Sequence, residues 1–279
     1  MRRKCYIIKS DGRSVPFNFG KVKATCIRAG ASNKLATQVA QKISENIYPG
    51  ISTRQIYRMV LDTLAVDDKN AVGHRYRLKE SIMQMGPAGF PFENYVSAIL
   101  AACGFDVKSR RSKVKGTCVT HEIDIVATDV NLNKYMIECK FHNASGIYTG
   151  IKEALYTHAR FLDLKGQFDK EMLVCNTKVS VDAITYGKCV NQDILSWRYP
   201  DGKGLEKIIE DKGLYPITIL GLNRKELQKL SESNIMLAKD LLDLDSYQLS
   251  KQVRIPVHRI EVLQNLAKRI IGNKSTKPT

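Results

Sequence analysis

The chain has 279 residues, 43% of them hydrophobic, which is more than one typical core needs and suits two or three domains. Lys and Arg number 44 against 28 Asp and Glu, a formal net charge of +16 that favours a polyanion, nucleic acid first and acidic membrane second. No run approaches the roughly 18 apolar residues of a membrane span; nothing after Met1-Arg2-Arg3-Lys4 reads as a signal peptide, and scattered cysteines without a CxxC pair argue against a zinc ribbon or disulfide scaffold and for a reducing, cytoplasmic setting.

Residues 1–86 open with a hairpin pattern. Lys4 to Lys9 and Ser14 to Phe17 are β-rich, and Ser10-Asp11-Gly12-Arg13 between them is a turn. Four helices are predicted next: Lys21 to Ala29, Lys34 to Ile47, Ser52 to Ala65 with Ser52 or Thr53 as N-cap, and Asn70 to Met85. Residues 1–34 hold nine Lys and Arg against one Asp. Cationic side chains over helix starts suit phosphates, and the lack of a GxxxxGK[ST] loop points to binding without hydrolysis. A basic helical domain that holds DNA fits the same residues.

Gly86-Pro87-Ala88-Gly89 reads as a link, followed by an apolar helix over Phe90 to Ala102 with Glu93 in its first turn. Residues 108–115 carry five basic side chains and no acid, either a solvated edge or a strand that contacts phosphates. The stretch His121 to Ala127 and the stretch Met136 to Lys140 flank a polar turn, Asp129 to Asn133, and predict a second hairpin. Side chains alternate along a strand. Glu138 and Lys140 therefore share one face, opposite Ile137, Cys139 and Phe141; Glu122 and Asp124 share a face, and Ile123 and Ile125 the other. Folding the hairpin brings Asp124 beside Glu138 and Lys140. Adjacent carboxylates repel unless a cation offsets them, and oxygen ligands suit Mg2+ or Mn2+. An alternating Glu and Lys alone is usually a solvated strand face; the combination with an acid early in the preceding apolar helix and Asp124 in the hairpin is more specific.

The remainder of 87–203 predicts a helix from Tyr148 to Leu164, with Ile151, Leu155, Tyr156 and Ala159 along one packed face and Arg160 a possible DNA contact. A buried strand over Glu171 to Asn176, a helix over Asp182 to Val190 and a strand over Asp193 to Trp197 follow. His142 and Trp197 read as structural. Alternating strands and helices imply a sheet covered on both faces. Residues 204–279 read as a helical domain: Gly204 to Lys212, Arg224 to Glu232, Met236 to Leu242, Ser246 to Lys251 and Val257 to Ile271, with a polar tail from Asn273.

Three resemblances follow from these motifs. Lys9-Ser10-Asp11-Gly12, Phe17-Asn18-Phe19-Gly20-Lys21-Val22, Gly50-Ile51-Ser52-Thr53 and Arg75-Tyr76-Arg77 make residues 3–85 resemble the ATP-cone domain. That resemblance implies ATP or dATP as a regulatory ligand at Lys9, Asn18, Lys21 and Thr53, and a homo-oligomer whose contacts respond to it. Asp124 with Glu138-Cys139-Lys140 resembles the PD-(D/E)xK nucleases, nearest the Mrr-type restriction enzymes. It implies metal at Asp124 and Glu138, catalysis by Lys140, support from Glu93 and DNA as substrate. The C-terminal helices resemble helix-hairpin-helix modules, although Ser233-Asn234-Ile235 and Arg254-Ile255-Pro256 replace the usual glycine turns.

The expected architecture is multidomain α/β: an ATP-cone hairpin and helical bundle at 1–86, a restriction-endonuclease-like α/β core at 87–203, and a helical domain at 204–279. The expected activity is Mg-dependent DNA endonuclease action under nucleotide control, in restriction and defence or in repair. The alternative is a non-catalytic, nucleotide-responsive DNA-binding protein, and RNA stays open as a substrate.

Overall fold

The computed structural model describes residues 5–66, 71–86, 90–144 and 146–272. The link at 87–89, the helix start at Asn70, Ser145 of the turn after the second hairpin, the first four residues and the tail from 273 fall outside the described residues.

Strands β1 (Tyr6–Ile8) and β2 (Ser14–Pro16) pair antiparallel, with Ile7 opposite Val15. The turn closes through Lys9 N–H on Arg13 C=O at 2.9 Å, while Gly12 takes φ +80, which a side chain would oppose. Helices α1 (Phe19–Arg28), α2 (Asn33–Asn46) and α3 (Thr53–Ala65) follow. Ser52 caps α3 in a reciprocal box with Gln55, and Asn18 caps α1. Ile7, Cys26, Val39, Ile43, Ile51 and Val60 form the core of this unit.

The single helix expected up to Met85 is two, α4 (Val72–Tyr76) and α5 (Leu78–Met83). The chain tightens at Arg77, whose N–H reaches Gly73 C=O at 3.2 Å and His74 C=O at 3.0 Å. The break serves two cores. Val72 belongs to the N-terminal one, whereas Leu78 and Ile82 belong to the large core of the remainder.

Next come α6 (Phe90–Ala102), β3 (Asp106–Lys115), β4 (Thr120–Thr128), β5 (Lys134–Lys140), β6 (Tyr148–Thr149), α7 (Ile151–Asp163), β7 (Lys170–Cys175), β8 (Lys178–Val179), α8 (Val181–Val190) and β9 (Asp193–Leu195). The sheet order is β3-β4-β5-β7-β9, antiparallel up to β5 and parallel beyond it. This is a mixed α/β arrangement with helices on both faces. α6 packs Tyr95, Val96 and Ile99 with Ile125, Ile137 and Val174, whereas Leu164 and Phe168, with Phe161 of α7 against them, meet Val126 and Met136. Tyr148 and Thr149, expected to open a helix, instead pair with Lys178 and Val179 in a small parallel sheet.

The C-terminal helices are α9 (Leu205–Lys212), α10 (Arg224–Glu232), α11 (Ser246–Val253) and α12 (Val257–Ile271). The helix expected over 236–242 is only a 3-10 turn at Ala238–Leu241, and another, unforeseen, lies at Ile217–Leu220. Gly213, Asn234 and Arg254, each just past a helix, take φ +65, +60 and +53. Leu230, Leu263 and Ile217 join the same apolar core as α6 and the sheet, and buried Tyr95 Oη donates to Leu214 C=O at 2.9 Å. One core therefore runs across the expected boundary at 203/204.

Candidate active site

Strands β4 and β5 pair only from Ile125↔Ile137 to Thr128↔Lys134. Beyond Ile125 they part, and Asp124 fills the opening. Its Oδ2 accepts the Cys139 N–H at 2.7 Å, so one carboxylate replaces a rung of the ladder. The strict alternation expected for β4 fails at this point. Ile125 packs with Ile137 on the α6 side, but Ile123 packs with Val126, Met136 and Leu164 on the α7 side. The partner strand is irregular at the same level: between Arg110↔Ile125 and Ser112↔Ile123, Arg111 takes φ +52.

Glu93, in the first turn of α6, reaches the same place. Its Oε2 is buried and has no hydrogen-bond partner among the described residues. Burial, then the charge of Asp124, pushes Glu93 up to about 7, with Arg111 opposing. Glu138 is pushed up to about 7 by burial and then by Asp124, with Arg160 and Lys140 opposing. Asp124 is raised by burial, against the Cys139 N–H and Arg160. Glu93 and Glu138 thus each feel Asp124, and the charge of Glu122 acts on Glu93 and Asp124, so all three carboxyls are held toward the neutral form at reduced solvation. Lys140 stands exposed at the end of β5, and its charge acts on Glu138.

Arg160 is the residue whose role the sequence concealed. It is a buried clamp: from α7 its Nη1 donates to Glu138 Oε2 and its Nη2 to Glu122 C=O. The outer face of α7 also differs from expectation, because Leu155 and Tyr156 are 43% and 60% exposed. Tyr156 stacks over the Arg160 guanidinium, 5.4 Å from centroid to Cζ. His142 is structural: its N–H donates to Asn176 Oδ1 at 2.8 Å, and its Nε2 meets Thr149 Oγ1 at 3.0 Å.

Among the described residues no three His, Cys, Asp or Glu side chains stand poised together as a ready metal cage. The donor chemistry nonetheless fits a hard divalent cation: a buried carboxylate oxygen on Glu93 without a hydrogen-bond partner among the described residues, Glu138 raised by burial and then by Asp124, and Asp124 raised by burial with Glu122 adding to it. Water would complete such a shell. Beside this cluster lies a cleft of about 530 Å³ lined by Asn94, Arg110, Arg111, Arg224 and Asn234. Arg110 spans it, donating to Asn94 Oδ1 at 2.9 Å and Asn234 Oδ1 at 2.7 Å. The basic stretch 108–115 is the edge strand of the sheet.

The nucleotide candidates divide into two pairs. Lys9 and Thr53 line one cavity of about 600 Å³. They are brought together because Ile8 N–H donates to Ile51 C=O at 2.9 Å. Asn18 and Lys21 sit at the start of α1, outside that lining; Asn18 Oδ1 accepts the Lys21 N–H at 2.9 Å.

Among the described residues no helix is long and apolar enough to cross a membrane. Residues 5–81 match the ATP cone domain, and residues 215–271 match the AF1548-like C-terminal domain. An uncharacterized protein of Archaeoglobus fulgidus is 38% identical over 178 residues, 63% of this chain and 100% of the relative. The crystal structure of the protein of unknown function AF1548 superposes with a TM-score of 0.60 at 37% identity, over 66% of this chain and 100% of that one. The DNA modification-dependent restriction endonuclease AspBHI aligns at 14% identity and a TM-score of 0.36, over 56% of this chain and 39% of that one. With the whole of its archaeal relative matched at 38% identity, the chain belongs to the AF1548-like family, and at residues 5–81 it carries an ATP-cone domain.

Proposed function

We propose that this protein is a divalent-metal-dependent nuclease that hydrolyses DNA phosphodiesters under the control of ATP or dATP bound through its ATP-cone domain. The observation that supports it most is the crowding of Glu93, Asp124 and Glu138 where β4 and β5 part, with Lys140 at the strand end. Asp124 and Glu138 would hold Mg2+ or Mn2+, with Glu93 in support. A bound cation lowers the pKa of its water and offsets charge on a phosphoryl oxygen. Lys140 orients the attacking water or takes its proton. Arg110, Arg111 and Arg224 draw the phosphate backbone into the adjoining cleft, which gives affinity without sequence information. Arg160 fixes the Glu138 rotamer from behind.

The second reading, a nucleotide-responsive DNA-binding protein without catalysis, draws on one observation: Arg160 already satisfies a Glu138 oxygen. Glu138→Ala and Lys140→Ala separate the two. The nuclease reading expects both variants to bind duplex DNA like wild type while metal-dependent cleavage falls at least about a hundredfold, the weight of one catalytic group. Cleavage by neither wild type nor variants, of DNA or RNA, with DNA affinity shifted by ATP, would favour the second reading. Assembly of copies belongs to the same proposal. The exposed Ile151, Leu155 and Leu162 on α7 offer an apolar face for it, and sedimentation with and without ATP tests it.

A further inference from the structure

The cavity that holds Lys9 and Thr53 is not built by the ATP-cone domain alone. Its far wall comes from the sheet domain: Tyr148 of β6, Lys178 of β8, and Trp197 with Arg198 after β9. The two sides approach closely, since a Cβ placed on Gly146 would lie 3.2 Å from Ser10 Oγ of the hairpin. Lys79 of α5 bridges them. Its ammonium sits 4.4 Å from the Trp197 ring centroid and donates to Asn176 C=O.

The charge of this lining is one-sided. Lys9, Arg13, Lys79, Lys178 and Arg198 face a single carboxylate, Asp11. Asp11 is taken by Arg13 and Glu206 by Arg198, at 2.6 Å and 2.9 Å. Neither Lys9 nor Lys178 has a carboxylate partner among the described residues. Burial holds Lys79 down to about 8, with Arg198 adding a smaller push in the same direction. A concave site of this size with excess cations and two aromatic faces suits a base and a polyphosphate together.

We propose that a nucleoside triphosphate is bound between the two domains, with Lys178 and Arg198 of the sheet domain completing the phosphate site that Lys9 and Thr53 begin. This rests on the nucleotide-binding reading of the ATP-cone domain and adds the second wall. The same wall clamps the catalytic strand. Asn176, whose carbonyl takes Lys79, also accepts the His142 N–H at 2.8 Å and donates to the His142 C=O at 2.8 Å, two residues beyond Lys140. Thr149 Oγ1 ties His142 to Thr177 at 3.0 and 3.1 Å. Occupancy of the cavity therefore bears on the segment that follows Lys140.

The test uses the full chain and ATP itself. Trp197 is the one tryptophan, so its emission reports on the cavity directly. Calorimetry and Trp197 fluorescence are compared for wild type, Lys9→Ala and the Lys178→Ala/Arg198→Ala double variant; both residues of the double are exposed, and circular dichroism confirms its fold. The proposal expects ATP to change Trp197 emission in wild type. It expects both variants to lose at least about tenfold in ATP affinity, the scale of one charge-assisted hydrogen bond. If Lys9→Ala loses ATP but the double variant binds like wild type, the second wall is refuted and the ATP-cone reading stands. A double variant that keeps ATP and loses duplex DNA also overturns the proposal and reassigns these cations to nucleic acid. If wild type binds no nucleotide, both readings fall.

Discussion

Glu93 is the residue where stability and function pull apart. Its Oε2 is buried beside Asp124 without a partner among the described residues, a poor arrangement for a fold and a useful one for a cation. Glu93→Gln should therefore stabilise the cation-free protein by about 1 kcal/mol in a urea titration, while lowering cleavage. Arg160 behaves in the opposite way. Removing it leaves Glu138 half-buried with no guanidinium, so Arg160→Ala should destabilise by about 3 kcal/mol, read from the same titration. Glu210 of α9 gives the clearest pH signature. Burial, then Glu206, pushes it up to about 7, although Arg28 of the ATP-cone domain lies 3.7 Å away. A carboxyl raised on folding adds stability that is full below about 4.5 and is lost as pH rises through about 7. Glu210→Gln should flatten that decline between pH 4.5 and 8 and gain on the order of 2 kcal/mol at pH 8 by thermal or urea unfolding.

At the level of elements, what was legible followed period and caps. α2, α3 and α6 declare themselves by apolar spacing, and Ser52 by its place before Thr53. Asp129 to Asn133 marked the hairpin; Asp124 lies just past the last rung, Ile125↔Ile137, where it accepts the Cys139 N–H and its charge acts on Glu138. Three features were hidden for physical reasons. Tyr148–Thr149 and Lys178–Val179 are too short for periodicity, and only the tertiary fold pairs them. The α4–α5 break arises because one segment serves two cores. Arg160 meets Glu138 across the sheet from another helix, a contact that spacing along the chain does not encode. The C-terminal turns can be probed in the same terms. Arg254 ends α11 at φ +53, a region unfavourable to a side chain, and its carbonyl, which Lys229 Nζ reaches at 2.6 Å, belongs to the backbone. Arg254→Gly should keep that bond and stabilise by about 1 kcal/mol, whereas Arg254→Val should destabilise by a similar amount, measured by thermal unfolding.

Taken whole, the molecule joins its parts by packing and charge. The core that starts at Leu78 and Ile82 runs through α6 and the sheet to α12, and Arg75 Nη1 from α4 donates to Ile270 C=O at 2.7 Å. Through this core the ATP-cone domain packs with α6, the helix that carries Glu93. The net charge of +16 and the arginine-lined cleft next to Glu93 supply the attraction for a polyanion that the proposed nuclease activity requires. The decisive measurement is nicking of supercoiled plasmid by the full chain in Mg2+ or Mn2+, with and without ATP, beside Lys140→Ala. The account predicts nicking that needs the metal, changes with ATP and disappears in Lys140→Ala. Nicking that Lys140→Ala retains, or that chelation leaves intact, would contradict it.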